Sequence, residues 1–266
     1  MIEFLAPVRD RVLAAARIRP GDVVLDVGAG DGLIAFGALD FVGATGTVIL
    51  GDISLDLLRH SATLTQGLGD NDRCRFLGLS ADHLPLANDT VDVVTTRSVL
   101  IYLSAANKRI AVAEFGRVLR TGGRISLFEP INSFAFPEPE DRWQGFDVSP
   151  VKEIASKLAR LHASGDDSAH PLVDFDERDL LKWLEGAGFS QIRLHYEVEI
   201  GRDDTSSDDW ETFLRSSSNP LDPTHDEAME RLTERERTMF VGHVRPLFER
   251  GERQKRSAVA YLSAVK

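Results

Sequence analysis

The chain has 266 residues, 42% of them hydrophobic and 27% charged, with a formal net charge of −11. That length suits one large α/β domain or a core carrying sizeable insertions. Cys74 is the only cysteine, which excludes a disulfide framework and any zinc site built on several thiolates, so no metal is expected. The acidic balance disfavours nucleic acid and anionic membrane surfaces as partners. No apolar run reaches the length of a bilayer span and the opening residues do not read as a signal peptide, so the expected location is cytoplasmic.

An amphipathic helix (about Ala6–Arg17) opens the chain and leads through Pro20-Gly21 into VVLDV. This near-continuous apolar run reads as a strand buried on both faces. A glycine-rich turn and a helix from about Leu33 follow. TVIL is the second strand, Ser54 to Gln66 a helix, CRFLGL the third strand and TVDVVTT the fourth. The next helix begins near Ser104, gathers Val112, Phe115, Val118 and Leu119 on one face, and is expected to stop at Thr121-Gly122-Gly123. RISLFE is the fifth strand. Strands alternating with helices in this way predict a parallel sheet covered on both faces.

The alternation then breaks. Residues 131–174 read as loop, a helix over about Pro150–Leu161, and loop again. DFDERDLLKWLEGAGF restores a core helix, and IRLHYEVEI is a sixth strand. Residues 201–252 read as polar and helical with no strand signal; they hold 13 acids against 7 arginines. Residues 131–174 are also net acidic. SAVAYLSAV closes the chain as a seventh strand.

The strongest chemical signal is Asp26-Val27-Gly28-Ala29-Gly30-Asp31-Gly32, at a strand end and opening a helix. Gly28 and Gly30 permit a tight turn and close backbone approach to a ligand, and the helix start adds free N–H donors. The spacing is G-x-G-x-G, whereas a dinucleotide fingerprint has G-x-G-x-x-G. Asp26 would repel a pyrophosphate but suits the ammonium of a methionine moiety. Asp52 lies about 20 residues further on at the end of the second strand, where a carboxylate can accept both hydroxyls of a ribose.

With these residues the sequence resembles the class I S-adenosylmethionine-dependent methyltransferases, most nearly the group of the ubiquinone and menaquinone methyltransferases. RVLRTGGRISLFEP also resembles that family's passage from helix through two glycines into the fifth strand. The resemblance covers about two-thirds of the chain and implies a Rossmann-like, doubly wound seven-stranded sheet, the last strand antiparallel. Two mostly helical insertions would interrupt it. Residues 1–130 would form the S-adenosylmethionine-binding core, 131–174 an insertion or cap, 175–200 the core continuation, 201–252 a helical insertion and 253–266 the last core strand.

Carried over residue by residue, the resemblance places Asp26, Gly28, Ala29, Gly30 and Gly32 at the methionine end of S-adenosyl-L-methionine and Asp52 on its ribose. Ile53 would pack on the adenine, Ala81 and Asp82 would hold its amino group, and His83 would stand at the pocket rim. Arg97 and Tyr102 would face the pocket, and Glu129 would end the fifth strand near the transfer site. Tyr102 and Glu129 are the candidate bases if the reaction needs one, with His162, His170, His225 and His243 read as surface groups. Cys74 reads as a small buried apolar residue.

Insert one concentrates Phe134, Phe136, Trp143 and Phe146 within thirteen residues. This density suits a hydrophobic lid over a small-molecule acceptor, or equally an anchor holding the insertion to the core. The helical inserts serve as well for a homodimer interface. Two other readings stand beside a methyltransferase: a catalytically inactive binding protein of the same fold, and a nucleotide-cofactor oxidoreductase, against which the glycine spacing and Asp26 both speak.

Overall fold

In the computed structural model the described residues are 2–68, 71–162, 171–203, 209–217 and 223–266. The chain divides into two compact units. The first comprises Met1–Ile131, Asp174–Glu197 and Val259–Lys266; the second comprises Asn132–Val173 and Val198–Ala258.

The first unit is the alternating α/β pattern. Its elements are α1 (Ile2–Ala16), β1 (Val23–Val27), α2 (Leu33–Val42), β2 (Thr47–Asp52), α3 (Leu55–Leu68), β3 (Cys74–Gly78), β4 (Val91–Arg97), α4 (Ala105–Val118), β5 (Leu119–Pro130) and α6 (Glu177–Gly186). Strands β8 (Ser190–Arg202) and β9 (Gln254–Val265) complete a seven-stranded sheet of order β3-β2-β1-β4-β5-β9-β8. Neighbours from β3 to β5 are parallel, and β9 is antiparallel to β5. Val24, Leu25, Val48, Leu50, Val93, Val94, Ile125 and Leu127 are buried, as continuous apolar strands between two helical layers require. Val12, Leu13 and Ala16 of α1 pack with Ile34, Ala35, Ala38 and Leu39 of α2 in one core cluster. The strand order reverses between β1 and β4, so a crevice opens beyond their carboxyl ends.

The second unit holds a two-stranded hairpin, β6 (Arg142–Trp143) with β7 (Phe146–Asp147), and the helices α5 (Lys152–His162), α7 (Trp210–Leu214), α8 (His225–Met229) and α9 (Glu234–Glu249). Its core is aromatic. Trp143 meets Phe240 edge-on with ring centroids 5.0 Å apart and Phe213 at 5.9 Å, and Phe146 meets Phe213 at 5.9 Å. Val148, Leu158, Met229 and Val244 close the cluster. Capping boxes at Thr224 and Thr233 start α8 and α9, satisfying amides that a helix start otherwise leaves bare.

The structure corrects several sequence expectations. Helix α4 ends at Val118, and Leu119 already belongs to β5 because it pairs with Val91. The two glycines therefore form an irregularity inside the strand, with Gly122 at φ 76°, rather than a helix cap. The second insert is not purely helical, since β8 runs two residues into it, to Arg202. The hairpin β6–β7 was not legible, two residues per strand being too short for an alternation. His170 and the loop around it lie outside the described residues.

Candidate functional site

The glycine turn sits at the carboxyl end of β1, inside the crevice. Gly28, Gly30 and Gly32 all hold positive φ, 69°, 54° and 83°, a region that costs a residue with a Cβ. The N–H groups of Gly28 and Ala29 donate to the Gly51 carbonyl at 2.8 and 3.0 Å, tying the turn to β2. A Cβ at Gly28 would stand 2.3 Å from Val99 Cγ2, and one at Gly32 2.5 Å from Phe36 Cε2. At Gly30 the nearest atom would be the Gly28 carbonyl oxygen at 4.0 Å. Two glycines are thus demanded by packing, and Gly30 alone faces open space.

Asp52 stands at the end of β2 and reaches back to this turn. Its Oδ2 accepts the Gly30 N–H at 2.8 Å and its Oδ1 accepts the Ser54 N–H at 2.8 Å. Each carboxylate oxygen carries two lone pairs, so both retain capacity for a ligand hydroxyl. Beside it Ile53 is 80% exposed, a bare apolar side chain at the edge of the crevice. On the neighbouring loop Ser80 Oγ donates to Asp82 Oδ1, and the His83 N–H donates to the Ser80 carbonyl at 3.0 Å. Ala81 is buried, Asp82 half-buried and His83 exposed.

Asp26 is bonded within the framework behind this turn. It is buried, with Oδ1 accepting from Thr95 Oγ1 at 2.8 Å and Oδ2 from the Ala35 N–H at 3.1 Å. It joins β1, β4 and the first turn of α2. Burial pushes its carboxyl up to about 7, against the opposing effects of the Thr95 and Ala35 hydrogen bonds and of nearby Arg97. Arg97 is half-buried at the end of β4.

Glu129 also departs from expectation. It is fully buried, and its Oε1 accepts the N–H groups of Val99 and Leu100, each at 2.9 Å, while Oε2 accepts that of Ile101 at 3.3 Å. Burial raises its carboxyl to about 7, and these three hydrogen bonds together with Lys108 pull the other way. A carboxylate enclosed by three amides is a clamp on the loop after β4 and has no opening through which to take a substrate proton. Tyr102, on the turn that follows, is 71% exposed.

Trp143 and Phe146 are only 4% and 1% exposed. They are core residues of the second unit, and the expectation that they face an acceptor is withdrawn. Phe134 lies against the Arg256 guanidinium at 5.0 Å, and Phe136 is 41% exposed. His225, expected at the surface, is instead buried against Trp143 and Phe213, and His243 Nε2 lies 2.8 Å from the Asp147 carbonyl. Neither reads as a base.

Sequence reasoning missed Lys108 and Asp174, which form a buried ion pair at 2.6 Å. A signal existed: Lys108 shares the buried face of α4 with Val112 and Phe115 at helical spacing.

Comparison with known proteins fixes the class. The family model of a methyltransferase domain matches residues 24–123, which contain the turn, Asp52 and the loop after β4. The ubiquinone/menaquinone biosynthesis C-methyltransferase UbiE of Stenotrophomonas maltophilia is 32% identical over 196 residues, 71% of this chain and 73% of that protein. The solved YcgJ protein from Bacillus subtilis shares the fold with a TM-score of 0.59 at 19% identity, over 97% of each chain. A geranyl diphosphate methyltransferase solved with S-adenosylmethionine has a TM-score of 0.53 at 15% identity, over 97% of this chain and 84% of its own.

The chain belongs to the class I S-adenosylmethionine-dependent methyltransferase family. It is a methyltransferase, and S-adenosylmethionine is its cofactor. The residues present fit that group: a left-handed glycine cradle with open space at Gly30, an acid with unused lone pairs, and a bare apolar side chain beside it. Among the described residues no helix is long and apolar enough to cross a membrane.

Proposed function

We propose that this enzyme methylates a ring carbon of a small, quinol-type aromatic acceptor. The observation that carries this reading is the agreement with the ubiquinone/menaquinone C-methyltransferase over 71% of the chain. Glu129 supports it. An electron-rich phenolate ring is already nucleophilic at carbon and needs little help from a base, and the carboxyl group at the end of β5 is not free to act as one.

In this reading the cofactor supplies an electrophilic methyl group on sulfonium sulfur. Gly28, Ala29 and Gly30 receive its methionine end along the backbone. Asp52 accepts hydrogen bonds from the ribose hydroxyls, and Ile53 covers one face of the adenine. Asp82 accepts from the adenine amino group, with Ala81 and His83 at the rim. Asp26 acts behind the turn, holding β1, β4 and α2 in register. Arg97 and Tyr102 stand at the acceptor side of β4. The protein's contribution is then chiefly orientation and exclusion of water. Bound there, the cofactor would give up its methyl group to the ring carbon and leave as S-adenosylhomocysteine, the ring proton passing to solvent. We place the enzyme in the cytoplasm, with a small molecule rather than nucleic acid or membrane as its partner.

The test is mass spectrometry of acceptors incubated with methyl-deuterated S-adenosylmethionine, on a panel of quinols, phenols, amines and thiols. Label on a quinol ring carbon is the expected result. Label on heteroatoms alone, or on protein or nucleic acid alone, overturns the proposal. Binding of S-adenosylhomocysteine by calorimetry serves as the independent check on the cofactor site.

A further inference from the structure

The loop Ser98–Leu103 is held from both ends. Its amides at Val99, Leu100 and Ile101 are taken by Glu129, and its last carbonyl, that of Leu103, accepts from Lys108 Nζ. Lys108 Nζ lies 2.6 Å from Asp174 Oδ1 and 5.0 Å from the centre of the Phe175 ring. The two charged side chains are 0% and 5% exposed. Asp174 is the residue at which the chain returns to the first unit. Within the loop, Ser98 holds φ 54°, a conformation that persists only when its surroundings impose it. Val99 fills the space that a side chain at Gly28 would need.

Stability does not account for this arrangement. Taking a lysine and an aspartate out of water costs more than an apolar pair of the same volume, which is often as stable or more so. What the ion pair supplies and an apolar pair does not is a directed hydrogen bond to the Leu103 carbonyl. We propose that the buried Lys108–Asp174 pair is a positioning element of the methyl-transfer site. It fixes the loop after β4 and through Val99 sets the shape of the glycine turn. The inference rests on the assignment of that turn to the cofactor.

The test separates position from stability. Lys108→Met alone leaves Asp174 buried without its counter-ion and is expected to unfold the first unit. The double variant K108M/D174L removes both charges and is expected to melt within a few degrees of wild type. Its dissociation constant for S-adenosylhomocysteine, by calorimetry, should nevertheless rise roughly tenfold or more, since a small misplacement of a positioned group carries costs of that order. Adding Glu129→Gln to the double variant should weaken binding by no more than about threefold further, because groups acting through one element are not additive.

A double variant with wild-type melting and a dissociation constant within about twofold of wild type overturns the proposal. If the double variant melts early, its dissociation constant is read at a temperature where it is still fully folded: a rise of about tenfold or more over wild type at that temperature supports the proposal, and a value within about twofold overturns it. A wild-type chain that binds no S-adenosylhomocysteine overturns the cofactor site itself, and is told apart because it fails before any variant is made.

Discussion

The glycine turn of the first unit and the aromatic segment of the second present equally dense clusters of informative residues, yet only one could be read from sequence. At Gly28–Gly32 the proposed role belongs to the backbone itself. Its spacing, its place at a strand end and the acid about 20 residues on all follow from chain order. At Phe134–Phe146 the side chains are the object, and what they do depends on which surface they meet. Two of the four, Trp143 and Phe146, are sealed in a local core with Phe213 and Phe240, while Phe136 remains open. Aromatic density alone does not tell a lid from a core, because both bury rings and differ only in the partner.

Trp143→Ala tests this contrast most severely. Deleting a buried tryptophan from the second unit should cost about 3–5 kcal/mol, read by denaturant unfolding of the whole chain. A mutant with wild-type stability but poor acceptor turnover would return Trp143 to the role of a lid.

Asp52→Ala probes the other region. Losing an acceptor for the ribose hydroxyls should weaken cofactor binding by roughly 1.5–3 kcal/mol, a rise in dissociation constant of about ten- to a hundredfold. Calorimetry showing unchanged affinity in a folded mutant removes Asp52 from the site.

The buried carboxyl groups of the first unit supply a pH test. Asp26 and Glu129 both titrate near 7 in the folded protein, well above the ordinary carboxylate range. Their contribution to stability is therefore present in full below about pH 4 and is lost as pH rises through about 7. Urea midpoints should fall between pH 5 and pH 7.5, and Asp26→Asn should flatten part of that slope. A slope unaltered in the mutant would show that Asp26 is ionised throughout.

Phe136→Ala completes the comparison as the smallest effect. An exposed ring should change unfolding free energy by no more than about 0.5 kcal/mol, although it lies seven positions from Trp143. A large loss would mean that Phe136 belongs to the same core.

Sequence alone determined the sheet, the crevice and the backbone cradle. Apolar runs of strand length, glycines at fixed offsets and an acid at the next strand end are local patterns, and local patterns survive in one dimension. Lys108 and Asp174 lie 66 positions apart and meet only after the segment between them has been laid aside. Glu129 was visible at a strand end, but whether that end opened to the crevice or closed on three amides was a property of the loop after β4. Asp26 was legible as an acid beside the turn, and its partners Thr95 and Ala35 come from other elements. The tertiary structure decided which carboxyl groups are enclosed within the framework, because desolvation and hydrogen-bond partners are set by neighbours in space.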